Sequence, residues 1–392
     1  MFISSSYLLA LLPLLAVVKA QACPTIPDLS SYNNTVLPDP FTFLNGQKVA
    51  TFADWECRKK EMSILLQQDE LGIIPPRPES MNVSFSGTTL TITATHAGKS
   101  ITFAPTIKYP TTGTAPFPAL IGMGGISIPS PAGVAIITFN NEQMAQQDTL
   151  ASRGLGLFFN LYGADASAGA MSAWAWAVTL IMDALEQTPA ARINTARVGV
   201  SGCSRNGKGA LVAGAFEPRL VLTIPQESGS GGTDSWRISD FILSTGVLTQ
   251  TASEIVQENV WLGSSFDQFA NTSVDRLPFD HHSLGALVAP RGLFVIDNVG
   301  IDWLGPFPSF GAMVSARAAW TAMGVTDAMG ISQAASHDHC AFPSTQQPQL
   351  NAFINKFLFD QATDTDIVET AGNYTFEVPN AQWAPWSVPT LV

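Results

Sequence analysis

Two rhythms of hydrophobic and polar positions alternate along the chain. Short apolar runs rich in β-branched residues read as strands at 90–95, 101–109, 119–123, 134–139 and 155–160, and again at 198–201, 222–225, 293–297 and 330–333. Helical spacing of apolar residues covers 51–68, 310–323 and 349–359. It is strongest over 171–185, where Trp174, Trp176, Leu180, Ile181 and Leu185 largely share one face. Strands alternating with helices imply an α/β fold, a mostly parallel sheet covered on both faces. In such sheets ligands bind beyond the C-terminal ends of the strands. Residues 21–50 are rich in Pro and Asn and read as a surface run. No internal repeat or low-complexity linker divides the remainder, so 21–392 reads as a single domain.

The first twenty residues are excluded from this pattern. Leu8 to Val18 is an unbroken apolar run of eleven residues, too short to span a bilayer. Val18-Lys19-Ala20 sets small residues before a cut at Ala20–Gln21, and residues 1–20 read as a secretory signal peptide. No other stretch has eighteen consecutive apolar residues, so no membrane partner is expected. A formal charge of −12 argues against nucleic acid, whose phosphates would repel the chain. A chain 46% hydrophobic and 13% charged can bury a large core. Secretion changes how the four cysteines are read: Cys23, Cys57, Cys203 and Cys340 suggest two disulfides, with three pairings open. No Cys-x-x-Cys pair exists, and no cysteine-based metal site is expected. Asn33, Asn82, Asn271 and Asn373 each open a glycosylation sequon.

The densest chemistry is Gly202-Cys203-Ser204-Arg205-Asn206-Gly207-Lys208-Gly209, set between an apolar strand and an Ala-rich helix. Gly202 through Lys208 matches a phosphate-binding loop, but Gly209 stands where a hydroxyl should hold Mg²⁺. The alternative is a nucleophile elbow, G-x-S-x-G, which exposes a serine hydroxyl on a strand-to-helix turn. Ser204 fits, although Asn206 takes the fifth place and Gly207 follows it. A serine nucleophile needs a base and a group to orient the base. Of five histidines, His96 reads as a surface strand residue, and His281 and His282 as structural. His337 and His339 follow the 330–333 strand, where hydrolases of this kind keep the base. A Cys203–Cys340 bond would tie the serine turn to that histidine loop, adding about 4–5 kcal/mol in the chain-entropy picture, and would leave Cys23–Cys57. The acid is Glu227, in a Gly- and Ser-rich turn, or Asp297, at the end of the penultimate strand.

The octapeptide, Glu227 at 23 residues and His337-Asp338-His339-Cys340 at 133 residues beyond Ser204 together resemble the glucuronoyl esterases, carbohydrate esterase family fifteen. The resemblance spans essentially all of the chain after residue 20. It implies an α/β-hydrolase fold, a three-layer α-β-α sandwich, and hydrolysis of esters between 4-O-methyl-D-glucuronic acid on glucuronoxylan and lignin alcohols. It implies no metal or other cofactor. Carried over residue by residue, Ser204 is the nucleophile, His337 the base, Glu227 the acid and Arg205 an oxyanion donor, with Asp297 as second-choice acid. Lys208, Gln250, Glu258 and Trp303 become sugar contacts. The bland readings are a solvated helix charge for Lys208, a core tryptophan for Trp303, a surface ion pair for Glu258 and a loop-structuring role for His339, which is also the rival base. The chain lacks the cysteines of the third disulfide often found in fungal members, and carries no attached carbohydrate-binding module. A monomer is expected. The competing functions are a secreted esterase of other specificity, such as an acetyl xylan esterase, and a non-catalytic xylan-binding protein.

Overall fold

In the computed structural model, which describes residues 22–392 and leaves the expected signal peptide outside them, eleven strands join in one sheet. They are β1 (Ser80–Ser86), β2 (Thr89–His96), β3 (Lys99–Phe103), β4 (Thr106–Lys108), β5 (Phe117–Met123), β6 (Ala135–Phe139), β7 (Ile193–Cys203), β8 (Leu220–Gln226), β9 (Gly292–Asn298), β10 (Met329–Ala334) and β11 (Val368–Thr370). The order is β1-β2-β4-β6-β5-β7-β8-β9-β10-β11, with β3 paired to β2. From β6 across to β11 every pairing is parallel, and the β1–β4 end is antiparallel.

Alternation along the central strands builds two cores. Ala119, Ile121, Leu293 and Val295 pack on one face with Trp174, Leu180, Leu211 and Met313. Their neighbours Leu120, Phe294 and Ile296, with Leu222 and Ile224, pack on the other with Leu350, Phe353 and Ile354. Successive strand side chains point to opposite faces, so an uninterrupted apolar strand must be covered twice. The helices Ala170–Gln187, Arg205–Phe216 and Pro306–Ala322 cover the first face, and Gln347–Phe359 the second. This is the expected α-β-α sandwich. The register sets Cys203 beside Gln226, and Gln333 beside Asp297. The C-terminal ends of β7, β8, β9 and β10 therefore lie side by side.

Several expectations are corrected. Residues 155–160 do not form a strand. They belong largely to a helix, Leu157–Tyr162, between Gly156 (φ 123°) and Gly163 (φ 107°). A short apolar run fits either element, and here ring packing decides: Phe158 and Tyr162 both meet Trp176 edge-on, at 5.4 Å. The expected strand 101–109 splits into β3 and β4 at Pro105, which has no N–H to donate. Residues 21–50 are not simply a surface run, because Leu37, Phe41, Phe43 and Val49 are buried, with Phe41 against Trp55 and Trp386. The two cystines are Cys23–Cys57 and Cys203–Cys340. All four sequon asparagines are exposed.

Gly209 fixes how closely the helix Arg205–Phe216 approaches its neighbour. A Cβ there would lie 2.7 Å from the ring of Trp174, which is fully buried and anchored by its Nε1–H to the Ala145 carbonyl at 3.0 Å. Gly209→Ala is therefore expected to destabilise the protein by about 1–3 kcal/mol, the usual cost of overpacking. The denaturant midpoint checks this, and an unchanged midpoint would show that the two helices can separate freely.

Candidate active site

Ser204 caps the helix that follows β7, with φ 58° and ψ −128°. That backbone conformation is strained for a non-glycine residue, at about 1–3 kcal/mol, and such strain gathers at functional sites. The contacts around it require the glycines. A Cβ on Gly202 would meet the Asn206 carbonyl oxygen at 2.4 Å, and one on Gly207 the Gln226 carbonyl oxygen at 2.7 Å. The departure from G-x-S-x-G thus has a physical cause: the close approach to β8 falls at 207. Asn206 is free to be something else, and its Oδ1 accepts from Asn141 Nδ2 at 2.9 Å. The Ser204 N–H donates to the Gln226 carbonyl at 2.9 Å, locking the turn to β8. Among the described residues the Ser204 hydroxyl and the Arg205 N–H have no hydrogen-bond partner. The Arg205 side chain is exposed.

Glu227 begins the turn after β8, with φ 44° and no solvent exposure. Its Oε2 accepts from His339 Nδ1 at 2.8 Å and from the Cys340 N–H at 3.0 Å. Its Oε1 accepts from Gln226 Nε2 at 3.3 Å and faces His337 Nδ1 at 3.8 Å. The Gln226 amide is oriented by Ser127, whose hydroxyl donates to Oε1 at 2.6 Å. Both imidazoles therefore converge on one carboxylate, His339 more closely than His337. The Nε2 of each ring is buried without a partner. His337 is steadied by Asn298 Nδ2, which donates to its carbonyl at 2.8 Å, and the ring of His339 stands edge-on to Trp303 at 5.2 Å. The Cys203–Cys340 bond joins the residues flanking Ser204 and His339, as the sequence suggested. Cys203, His339 and Cys340 are the one group among the described residues that clusters like metal ligands, and the disulfide consumes both thiolates.

Lys208 is not a solvated charge. Its Nζ donates to the Ser228 and Ser230 carbonyls, lies 5.0 Å from the Trp261 ring centroid, and is buried. Burial pushes its pKa down to about 8, against the pull of Asp234 and Glu258. Engaged in this way, and followed by a glycine packed on Trp174, it does not form a phosphate loop. Gln250 Nε2 donates to Glu258 Oε2 at 3.0 Å, and the Gln250 N–H to the Trp303 carbonyl at 3.2 Å. Trp303 is 37% exposed and so is not a core residue. The fold brings this set to the same side as Glu227: Ser230, in the Glu227 turn, donates its hydroxyl to the Gln250 carbonyl at 2.5 Å. Asp297 touches neither histidine. It is buried, accepting from the Asn298 N–H at 3.0 Å and from Gln333 Nε2 at 3.2 Å. Asn141, Ser127 and Trp261 were missed from the sequence, since no local motif marks a residue that acts by packing behind another.

Known proteins resemble this one in sequence and in fold. A family profile described as "Glucuronyl esterase, fungi" matches residues 92–324. The chain is 56% identical over 370 residues to a 4-O-methyl-glucuronoyl methylesterase of Hypocrea jecorina, covering 94% of this chain and 79% of that protein. It is 48% identical over 391 residues to the protein of the same name from Schizophyllum commune, covering 99% of each. The catalytic domain of a glucuronoyl esterase from Hypocrea jecorina superposes with a TM-score of 0.89 at 57% identity, over 92% of this chain and 98% of that one. A serine-to-alanine mutant of the Sporotrichum thermophile glucuronoyl esterase, in complex with methyl 4-O-methyl-β-D-glucopyranuronate, superposes with a TM-score of 0.90 at 45% identity, over 95% and 100%.

Asp297 generates a pH prediction. Burial raises its pKa from 3.8 to about 6, and the charge of Glu227 adds to this, while Ser309, the Asn298 N–H and Gln333 oppose it. A carboxyl raised in the folded state binds its proton more tightly there than in the unfolded chain. Its contribution to stability is therefore lost as pH rises from 3.8 towards and past 6. Asp297→Asn removes that loss. Denaturant unfolding at pH 4 and pH 7 should show the variant gaining on the wild type at the higher pH, whereas a constant difference would mean that Asp297 does not titrate in this window.

Proposed function

The chain belongs to the fungal glucuronyl esterase family, carboxylic ester hydrolases, and on that footing we propose that it is a secreted esterase acting on glucuronoxylan. It cleaves the ester between 4-O-methyl-D-glucuronic acid and lignin alcohols through a Ser-His-Glu triad and a glucuronoyl-enzyme intermediate. The observation that carries the reading is the buried Glu227 carboxylate, one strand from the strained Ser204 turn, with imidazoles converging on it. A relative of closely similar structure holding a methyl glucuronate in a serine-to-alanine form supports the substrate class.

In this mechanism Ser204 attacks the C6 carbonyl of the uronate ester, and His337 takes its proton. Glu227 orients His337 and stabilises the imidazolium. The division of the carboxylate leaves room for this assignment: Oε2 is occupied by His339 and the Cys340 N–H, while Oε1 accepts from Gln226 Nε2 and lies 3.8 Å from His337 Nδ1, which now meets the Asp338 carbonyl at 3.0 Å. His339 then holds the carboxylate and packs on Trp303. The second reading makes His339 the base, favoured by its shorter bond to Glu227, 2.8 against 3.8 Å. The free Arg205 N–H at the helix N-terminus, with its guanidinium, meets the oxyanion, and one such donor contributes about 3–4 kcal/mol. Protonated His337 returns its proton to the leaving alcohol, and water, activated by the same base, releases the acid.

Lys208, Gln250, Glu258 and Trp303 select the sugar. An ammonium has three donors, and two are engaged by Ser228 and Ser230, which leaves one N–H for a sugar hydroxyl. Fixed polar partners discriminate a hydroxyl-rich acid better than an apolar slot does. Two cystines, exposed sequon asparagines and the sequence of residues 1–20 support secretion and glycosylation at Asn33, Asn82, Asn271 and Asn373. Among the described residues no helix is long and apolar enough to cross a membrane.

Hydrolysis of a benzyl glucuronate ester tests the reading. Ser204→Ala should lower kcat by at least ~10³-fold with an unchanged Tm, and retained activity would remove the nucleophile assignment. His337→Ala should lose far more activity than His339→Ala; the reverse order establishes the second reading. Glu227→Gln should be strongly impaired and Asp297→Asn nearly normal. Faster turnover of acetylated xylan than of the uronate ester would point to an acetyl esterase instead.

A further inference from the structure

Behind the turn that carries Glu227 lies a second carboxylate–imidazole pair, remote from solvent. Glu70 follows the first helix, in the π-turn Gln67–Leu71, and His281 opens the helix His281–Ala286. His281 Nε2 is 2.7 Å from Glu70 Oε1, and its Nδ1 lies 2.5 Å from the Gly232 carbonyl. Trp236 Nε1 donates to Glu70 Oε2 at 3.2 Å, and its ring stands edge-on to the imidazole at 4.8 Å. Glu70, Trp236 and His281 are all fully buried. A carbonyl can only accept, so Nδ1 carries a proton, and a second proton lies between Nε2 and the carboxylate. No substrate reaches this pair, so it is no second active site.

Its link to the Glu227 turn is Gly232. The turn Glu227–Asp234 presents three carbonyls to buried charged donors: Ser228 and Ser230 to Lys208, and Gly232 to His281. Gly232 in turn donates its N–H to the Gly229 carbonyl at 2.8 Å, and Thr233 donates its N–H to Ser228 Oγ at 3.0 Å. A shift at Gly232 is thereby passed to Ser228, the neighbour of Glu227, whose φ of 44° leaves it little freedom to compensate.

We propose that Glu70 and His281 are positioning residues for the catalytic acid, mooring the Glu227 turn through the Gly232 carbonyl while Lys208 moors it from the nucleophile helix. The proposal rests on the assignment of Glu227 as the acid of the triad. A misplacement of about 1 Å in a catalytic group can cost on the order of 10²-fold in rate, so a tether of this kind is read in kcat.

The test is a double-mutant cycle between Glu70→Gln and Glu227→Gln, with a benzyl glucuronate ester as substrate. The amide keeps the shape of Glu70 and an acceptor for Trp236, and removes the charge facing His281. Glu70→Gln alone should lower kcat about tenfold with KM within about threefold, and in the Glu227→Gln background should cost less than about twofold, because both changes act through one group. A merely structural role lowers Tm, leaves kcat of the native protein within about twofold of wild type, or repeats its full loss in the Glu227→Gln background; either kinetic result overturns the proposal. If Glu227→Gln itself keeps full activity, the triad reading fails instead, and the two failures are distinct. Should Glu70→Gln not fold, Trp236→Phe removes the Nε1 donor together with part of the buried ring, and a kcat loss of about threefold that vanishes in the Glu227→Gln background is expected. No loss, or one that persists there, overturns the proposal.

Discussion

A carboxylate kept wholly out of water at the end of β8 is the constraint from which most of the site follows. An ion in such a place is tolerable only if every lone pair that faces protein finds a donor. Glu227 meets this with Cys340 and His339 from the histidine loop and with Gln226 from the end of its own strand. The histidine loop is thereby held against β8, and the Cys203–Cys340 bond ties the same loop to the Ser204 turn. Acid, imidazoles and serine form one closed circuit of short links.

Closing that circuit demands backbone conformations that ordinary residues avoid. Among the described residues, three of the six non-glycine residues with positive φ are Ser204, Glu227 and Cys340. The surrounding contacts over-determine them: the Ser204 N–H on the Gln226 carbonyl, the Glu227 N–H on the Ile296 carbonyl, and the Cys340 N–H on Glu227 itself. The neighbouring glycines lie where any side chain would strike β8 or the next helical turn. Ser204 and Glu227 directly follow the ends of β7 and β8, with both cores beneath them, and Cys340 is tied to this pair by the disulfide and its N–H.

Much of this was legible in the sequence. The central strands announced themselves because burial on both faces requires unbroken apolar runs, and the serine turn because its glycines have a steric function. The edges were not legible. β1, Ser80–Ser86, alternates exposed polar residues with half-buried ones and carries no continuous apolar signal. Residues 155–160 were misread because a run of Leu and Phe between glycines is ambiguous until Trp176 supplies a partner. The arm at 37–49 looked like surface because its anchors are interspersed with Pro38, Asp39, Pro40, Asn45 and Gln47 and form no long apolar run. In the site, Ser204, Glu227 and His337 stand in recognisable patterns. Glu70 does not: it is 211 residues from the histidine it contacts, and neither lies in a motif. Partners that act by holding other partners leave no local trace.

The exposed setting of Arg205, Glu258 and Trp303 has a consequence for how a polymer is met. These groups lie on an open face, not at the bottom of a tunnel. A branch projecting from a long chain can enter sideways while the backbone of that chain lies across the protein, and no terminus has to be threaded. For the proposed polymeric substrate, turnover would then depend on how many branches protrude from its surface, not on how many chain ends it offers.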